Sequence, residues 1–281
     1  MVASEETESL SWPDERAIYF TLDLECDYGT ALEKRTYEAA QQTDKLVDLL
    51  ERYEAPLTCF LQTEVLEEAP SAVRQLEDAD VPVSFHAHSH THPTRATADV
   101  EYEVSESVER VRSRFGTEQL GYRFPDGDAN PGDYEVLARH DVAFSSTLFP
   151  SWRPGRFNNA SRGRGPFRHR PTEVVELPFA VHSDLVRVPV SISYLKFVGR
   201  AYDWLVRRTP PRTIVFDMHM HDLVVPDAFS SLPGRYKLVY SRHKHDGLTM
   251  LERLLKSLED NGYRFGGMTT LYERVTGDDA R

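Results

Sequence analysis

The chain has 281 residues, of which 40% are hydrophobic and 11% aromatic, so it is long enough and apolar enough to bury a sizeable core. Its formal net charge of −12 argues against non-specific binding to nucleic acid or to an anionic membrane surface. The acidic, lysine-poor composition also resembles that of proteins that work at high salt.

Neither a membrane segment nor a disulfide framework is predicted. No stretch approaches the roughly 18 continuous apolar residues of a membrane span. The polar and acidic residues 1–15 lack the features of a signal peptide, and Cys26 and Cys59 match no zinc spacing. We therefore expect a cytoplasmic protein with no membrane span and no nucleic-acid partner. We also expect a flexible tail over residues 1–15 and a single domain over residues 16–281. The sequence gives no signal of oligomeric state.

Short apolar runs alternate with longer amphipathic ones after the tail. Runs rich in β-branched and aromatic residues predict strands over residues 17–23, 56–61, 81–86, 119–123, 142–146, 174–179, 213–218 and 263–268. Segments with apolar residues at helical spacing predict helices over residues 38–54, 64–79, 97–115, 131–140, 194–208 and 247–261. This alternation implies an α/β fold with a parallel sheet, either open or closed into a barrel.

Two segments interrupt the alternation and are predicted as long loops. Residues 150–171 are rich in Arg, Gly, Pro and Asn, and residues 226–245 show similarly little periodicity. Long loops in compact domains often line binding sites. The arginines of residues 153–170 contrast with the acidic background. They either surround an anionic substrate or only keep the loop solvated.

Three acids follow the first predicted strand at alternate positions: Asp23, Glu25 and Asp27. If the strand continues, they lie on one face, where carboxylates repel one another unless a cation or hydrogen bonds compensate. A metal ion would explain the arrangement. The alternative is a solvated turn at the strand end, with Tyr28 and Gly29 as turn residues.

Four histidines follow the third predicted strand within seven residues: His86, His88, His90 and His92. Imidazole is a common ligand of zinc and neighbouring metals, and histidines four residues apart can face one ion. Because carboxylates are expected at a neighbouring strand end, the pattern favours a metal site. A pH-sensing or merely polar loop is the alternative reading.

Two more strand ends carry polar residues. Arg123 precedes Phe124 and Pro125 at the fourth strand, and His221 precedes Asp222 just after the seventh. A histidine beside an acid at a strand end is a candidate general acid or base. The alternatives are an ordinary surface arginine and a hydrogen-bonded loop histidine.

In this order, the clusters resemble the motif set of the polysaccharide deacetylase (NodB-homology) family. The histidine motif reads His-Ser-His-Thr-His over residues 88–92, and the arginine motif reads Arg-Phe-Pro over residues 123–125. The first motif begins Thr-Leu-Asp at residue 21 but is extended beyond the family's compact form. A weak fourth motif lies at residues 144–148, and the fifth lies at residues 218–222.

The resemblance implies a distorted (β/α) barrel that holds a divalent metal, Zn²⁺ or alternatively Co²⁺, Ni²⁺ or Mn²⁺. It implies His88 and His92 as metal ligands, with either Glu25 or Asp27 as the carboxylate ligand. The resemblance also implies the roles of three further residues. Asp23 is the catalytic base, Arg123 orients that base, and His221 is the general acid.

The implied reaction removes an acetyl group from an amino sugar or other glycan. Two other functions remain open at this stage. One is hydrolysis of a non-sugar C–N bond in a cyclic amide or ureide. The other is a non-catalytic glycan-binding domain that has retained the barrel.

Overall fold

The structure is a computed structural model that describes residues 6–153 and 157–277. Its strands are β1 Thr7–Ser9, β2 Ala17–Leu24, β3 Leu57–Gln62, β4 Val83–Ser89, β5 Gly121–Tyr122, β6 Phe144–Ser145, β7 Trp152–Arg153, β8 Phe157–Asn158, β9 Phe167–His169, β10 Val175–Glu176, β11 Thr213–His219 and β12 Arg264–Gly266. Its helices are α1 Asp44–Arg52, α2 Val65–Glu68, α3 Pro70–Glu77, α4 Val100–Phe115, α5 Pro131–Arg139, α6 Ile192–Val198, α7 Arg200–Arg208, α8 Met220–Leu223, α9 Gly234–Tyr240, α10 Gly247–Asp260 and α11 Met268–Thr276.

A parallel sheet forms the centre of the fold, with strands in the order β10-β6-β5-β4-β3-β2-β11. Strands β12 and β3 share one edge of β2. Residues 17–19 of β2 pair in parallel with β12, and residues 20–24 pair in parallel with β3. All eight residues of β2 are buried, as expected for a strand that is covered on both faces. The predicted α/β class with a parallel sheet is therefore confirmed.

The sheet curves so that its two ends approach each other. The backbone N–H of Ala180, just past β10, donates to the carbonyl of Val215 in β11 at 3.2 Å. Ser191 forms an isolated bridge with Asp217 on the same strand. These contacts link the ends without a continuous ladder, which gives a distorted, barrel-like sheet.

The predicted tail, residues 1–15, contains strand β1, which pairs antiparallel with β9. Residues 1–5 lie outside the described residues. Within residues 6–153 and 157–277, no helix combines the length and the apolarity needed to cross a membrane.

Two predicted helices are each divided in the structure. Pro70 begins α3 directly after α2, because proline has no N–H to continue the hydrogen-bonding pattern of a helix. Gly199 separates α6 from α7 with a φ of 93°, which other residues rarely adopt.

Both predicted loops contain regular structure, so the predictions for residues 150–171 and 226–245 are wrong in part. Residues 150–171 include β7, β8 and β9, which are too short to show an alternating pattern. Residues 226–245 include α9, and none of its residues is buried. A helix without a buried face leaves no apolar periodicity in the sequence.

Helix α10 covers the sheet with the apolar face that its leucine spacing predicts. Leu251, Leu254, Leu255 and Leu258 are all fully buried in the main hydrophobic core. Asp246 stands at the N-cap position, but its carboxylate contacts the His243 ring and caps no backbone N–H.

We expect Leu254→Ala to lower the free energy of unfolding by about 2–5 kcal/mol, because it removes a buried side chain and leaves a cavity. The exposed Lys256 on the same helix provides the control, and Lys256→Ala should change stability by less than about 0.5 kcal/mol. Urea denaturation monitored by circular dichroism measures both. Equal changes in the free energy of unfolding for the two variants would show that packing of this helix face does not stabilise the fold.

Candidate metal centre and active site

A cavity of about 450 Å³ opens at the carboxyl ends of the central strands. Asp23 at the end of β2 and His219 at the end of β11 lie opposite each other in the β2–β11 ladder. His88 is the penultimate residue of β4, and Arg123 follows β5. The parallel sheet thus brings these polar side chains, distant in sequence, to one edge, as expected for an α/β fold.

Glu25, His88 and His92 converge on the cavity wall. The Nε2 atom of His92 lies 2.7 Å from Oε2 of Glu25, and Nε2 of His88 lies 3.1 Å from the same oxygen. All three residues are buried. Burial raises the pKa of Glu25, but the facing His92 and His88 outweigh it and hold the pKa well below its usual value.

One carboxylate oxygen and two imidazole nitrogens form a donor set suited to a zinc-like cation. The residues present therefore fit a divalent metal.

Asp27 does not join this cluster, although it follows Glu25 by two residues. The strand ends at Leu24, and the chain then turns. The Asp27 carboxylate accepts hydrogen bonds from the Thr36 hydroxyl and the Glu38 N–H, both at 2.8 Å, and from the Ala39 N–H at 3.0 Å. Of the two predicted carboxylate ligands, only Glu25 lies with the histidines.

A buried carboxylate from α4 holds the histidine loop. Glu103 accepts hydrogen bonds from the backbone N–H groups of His90 and Thr91, both at 2.8 Å, and from the Thr91 hydroxyl at 2.6 Å. The next residue, His92, has a φ of 55°, a conformation uncommon for residues other than glycine. Its ring packs so closely on Gly29 that an added Cβ would lie 3.0 Å from His92 Cε1.

Arg123 lies beside the cluster with its guanidinium packed between two aromatic rings. Its Cζ is 4.0 Å from the ring centroid of Phe60 and 4.4 Å from that of Phe179. Its Nη1 atom donates to Asp23 Oδ1 at 2.5 Å and to Thr21 at 2.8 Å. The predicted contact between Arg123 and Asp23 is present.

The weak fourth motif completes the contacts of Arg123. The Ser146 carbonyl accepts from Nε at 2.7 Å, and the Ser146 hydroxyl accepts from Nη2 at 3.1 Å. The Thr147 hydroxyl accepts from the Phe124 N–H at 2.9 Å. This motif therefore positions the arginine and contributes no side chain of its own to the cavity.

Asp217 is a site residue that the sequence analysis missed. Its Oδ1 atom lies 3.3 Å from Nη1 of Arg123, so two carboxylates flank one guanidinium. Burial raises the pKa of Asp217 to about 7, and the nearby charge of Asp23 contributes to the increase. An acid inside an otherwise apolar, buried strand was the signal available in the sequence.

Of the two histidines in the fifth motif, His219 faces the acids. Its Nε2 atom lies 3.7 Å from Asp23 and 3.9 Å from Glu25, and its Nδ1 lies 3.2 Å from Asp222. Burial lowers the pKa of His219, but Asp217 and Asp222 outweigh it and hold the pKa well above its usual value.

His221, the predicted general acid, also lines the cavity but forms no contact with Asp23 or Glu25 among the described hydrogen bonds and ion pairs. Its Nδ1 atom accepts a hydrogen bond from the Tyr28 N–H at 3.1 Å, and its ring packs against Tyr28 and Tyr240. Burial, together with the charge of His219, lowers the pKa of His221 to about 4. This histidine is therefore neutral near pH 7.

Two of the remaining histidines have structural contacts. His86 is fully buried and accepts a hydrogen bond from the Gly121 N–H at 2.9 Å. His90 pairs with the Thr63 hydroxyl at 2.9 Å. Cys26 and Cys59 are buried and free.

Comparison with known proteins confirms the resemblance predicted from the motifs. The polysaccharide deacetylase family model matches residues 13–144, just under half of the chain. The match includes Asp23, Glu25, His88, His92 and Arg123. No curated protein matches the chain.

Solved structures share the fold over nearly the whole chain. A protein from Mycobacterium smegmatis assigned as a polysaccharide deacetylase is 18% identical, with a TM-score of 0.60, 97% of this chain covered and 95% of that chain. The Bc1960 peptidoglycan N-acetylglucosamine deacetylase is 16% identical, with a TM-score of 0.54 and coverage of 94% and 92%. The Puue allantoinase is 13% identical, with a TM-score of 0.56 and coverage of 98% and 95%. At these identities the likeness establishes the shared fold.

We expect Glu103→Gln to lower the free energy of unfolding by about 1–3 kcal/mol, because the neutral amide loses the charge-assisted hydrogen bonds that the carboxylate accepts from His90 and Thr91. The control is Glu106→Gln on the same helix, where a partly exposed side chain pairs with Arg110 at 2.5 Å. That change should cost less than about 1 kcal/mol. Urea denaturation compares the two. A Glu103 variant as stable as the control would mean that the carboxylate does not hold the loop.

The raised pKa of Asp217 predicts a loss of stability as the pH increases. The unfolded chain releases this proton near pH 4, whereas the folded protein retains it up to about pH 7. The unfolded state is therefore favoured progressively through this window. Asp217→Asn has no such proton, so its stability should fall less than that of the wild type between about pH 5 and about pH 8. Urea denaturation of chelator-treated protein at both pH values measures this, and identical pH dependence would contradict the assignment.

Proposed function

We propose that this chain is a divalent-metal-dependent hydrolase that removes an acetyl group from an amino sugar or related glycan. One observation carries the proposal: the convergence of Glu25, His88 and His92 beside the Asp23–Arg123 pair in a single cavity. The match to the polysaccharide deacetylase family supports the reaction class.

In this proposal, Glu25, His88 and His92 hold the cation. A divalent metal bound there supplies Lewis-acid polarisation of the acetyl carbonyl and favours deprotonation of the attacking water. Glu103 and Gly29 contribute by fixing the loop and ring position of His92.

Asp23 acts as the general base. Its Oδ1 atom is held by Arg123, while Oδ2 faces His219 across the cavity. The guanidinium fixes the direction of the carboxylate, so that it can remove a proton from water within hydrogen-bonding reach.

His219 acts as the general acid in place of His221. Asp222 accepts a hydrogen bond from Nδ1 of His219, which leaves Nε2 directed toward Asp23 and Glu25. A proton held at Nε2 is placed to pass to the departing nitrogen. The ring of His221 stacks on that of His219 at a centroid distance of 5.0 Å and supports the orientation of His219.

Metal content and acetate release from N-acetylglucosamine oligomers test the proposal together. His88→Ala should abolish both, because it removes a metal ligand. Asp23→Asn should retain the metal and lower kcat by about 10²-fold or more, because only the base is lost. The partly exposed His140, which pairs with Glu101 outside the cavity, provides the control, and His140→Ala should change neither property.

The other functions predict different results. Metal binding without acetate release from any acetylated glycan would favour a glycan-binding domain. A purified protein that binds no zinc or cobalt but hydrolyses a cyclic ureide would favour the non-sugar C–N hydrolase. Retention of metal and activity by His88→Ala would contradict the ligand assignment.

A further inference from the structure

The entrance of the cavity differs in charge from its floor. The floor carries the buried carboxylates of Asp23, Glu25, Asp217 and Asp222, and the partly buried Asp126 also lines the cavity. Four exposed residues line the entrance, and we call them the cavity mouth: Trp152, Arg153, Phe197 and Arg242. In a protein with a net charge of −12, two arginines at this position require an explanation.

Stacked aromatic rings connect the strand that carries Trp152 and Arg153 to Arg123. Phe157 in β8, the partner of Arg153 in the β7–β8 hairpin, stacks on Phe149 with ring centroids 5.9 Å apart. Phe149 stacks on Phe179 at 3.9 Å, and Phe179 contacts the guanidinium of Arg123. The hairpin is therefore held over the active site by packing.

Both arginines face the cavity. Arg153 lines the cavity together with Tyr194 and Tyr240, and its positive charge opposes the increase that burial causes in the pKa of both phenols. Arg242 lies over the Phe197 ring, with Cζ 5.7 Å from the centroid.

Neither Arg153 nor Arg242 forms an ion pair with any residue of the described ranges. Other exposed arginines do form such pairs, for example Arg114 with Glu77 at 2.6 Å. The acids of the cavity floor are instead matched by buried cations: Arg123 for Asp23 and Lys196 for Asp222. The charge of the mouth is therefore available to a ligand.

Trp152 provides the apolar part of the mouth. Trp152 is 64% exposed and lines the cavity, so the face of its ring is open to a ligand that enters there. A flat ring beside two guanidinium groups can stack on a sugar ring while the arginines bind an attached anion.

We propose that the substrate is an acetylated amino sugar that carries an anionic group, a phosphate or a carboxylate, bound by Arg153 and Arg242 while the acetyl group reaches the cavity floor. This inference rests on the proposed deacetylase function and specifies its substrate class.

The test measures kcat/KM for acetate release by the metal-loaded full chain. It compares three substrates: neutral N-acetylglucosamine, its 1-phosphate and N-acetylmuramic acid. The 1-phosphate supplies a phosphate and N-acetylmuramic acid a carboxylate. We expect at least one anionic sugar to exceed the neutral one by about tenfold or more, since hydrogen bonds to charged groups contribute on this scale. Added salt should reduce this preference.

Arg153→Gln and Arg242→Gln should each remove most of the preference, lowering kcat/KM for the anionic sugar far more than for the neutral one. The matched control is Arg208→Gln at the end of α7. Arg208 is exposed, forms no ion pair with a described residue and does not line the cavity, so its variant should retain the full preference.

Two outcomes overturn the inference while leaving the proposed function intact: equal kcat/KM for neutral and anionic sugars, or equal losses on both in the arginine variants. If no acetylated sugar releases acetate, the proposed function fails. Calorimetric binding of the same three sugars then decides the inference separately. Tighter binding of an anionic sugar that Arg153→Gln weakens would support it, and equal binding would overturn it.

Discussion

The arrangement of the site depends on one buried cation. The guanidinium of Arg123 is almost fully buried between two aromatic rings, where an unpaired charge would cost several kcal/mol. Asp23 supplies the opposite charge, and Asp217, Thr21 and Ser146 accept further hydrogen bonds from the guanidinium. These partners come from β2, β11 and the end of β6. The arginine thus links the carboxyl ends of β2 and β11, which are neighbours in the sheet, to that of β6, which is separated from β2 by three strands.

Two acids of one strand end acquire different roles from this arrangement. Asp23 faces a permanent cation, which orients it, whereas Glu25 faces two imidazoles whose ring nitrogens converge with its own oxygen. Asp27 continues the alternation in sequence but faces backbone N–H groups beyond the turn. In the proposed reaction, the first acid moves a proton and the second holds a metal, because their neighbours differ.

The cavity also combines two opposite electrostatic environments. Acids dominate its floor, where a bound cation would be stabilised, and arginines dominate its mouth, where an anion would be stabilised. The stack of rings from Phe157 to Phe179 holds these environments in a fixed relation, because it joins the β7–β8 hairpin to Arg123. A substrate with an acetyl group at one end and a negative charge at the other would match both.

Local patterns in the sequence predicted the elements and most of the site. Buried strands and leucine-faced helices leave clear periodicity in the sequence. The spacing of His88 and His92 indicated a shared metal, because histidines four residues apart at a strand end can face one ion. Only the tertiary structure distinguished Glu25 from Asp27 and His219 from His221, and only the fold revealed Asp217. Neighbouring acids and histidines look equivalent in sequence. Their directions depend on where a strand ends and on which distant strands pack beside it.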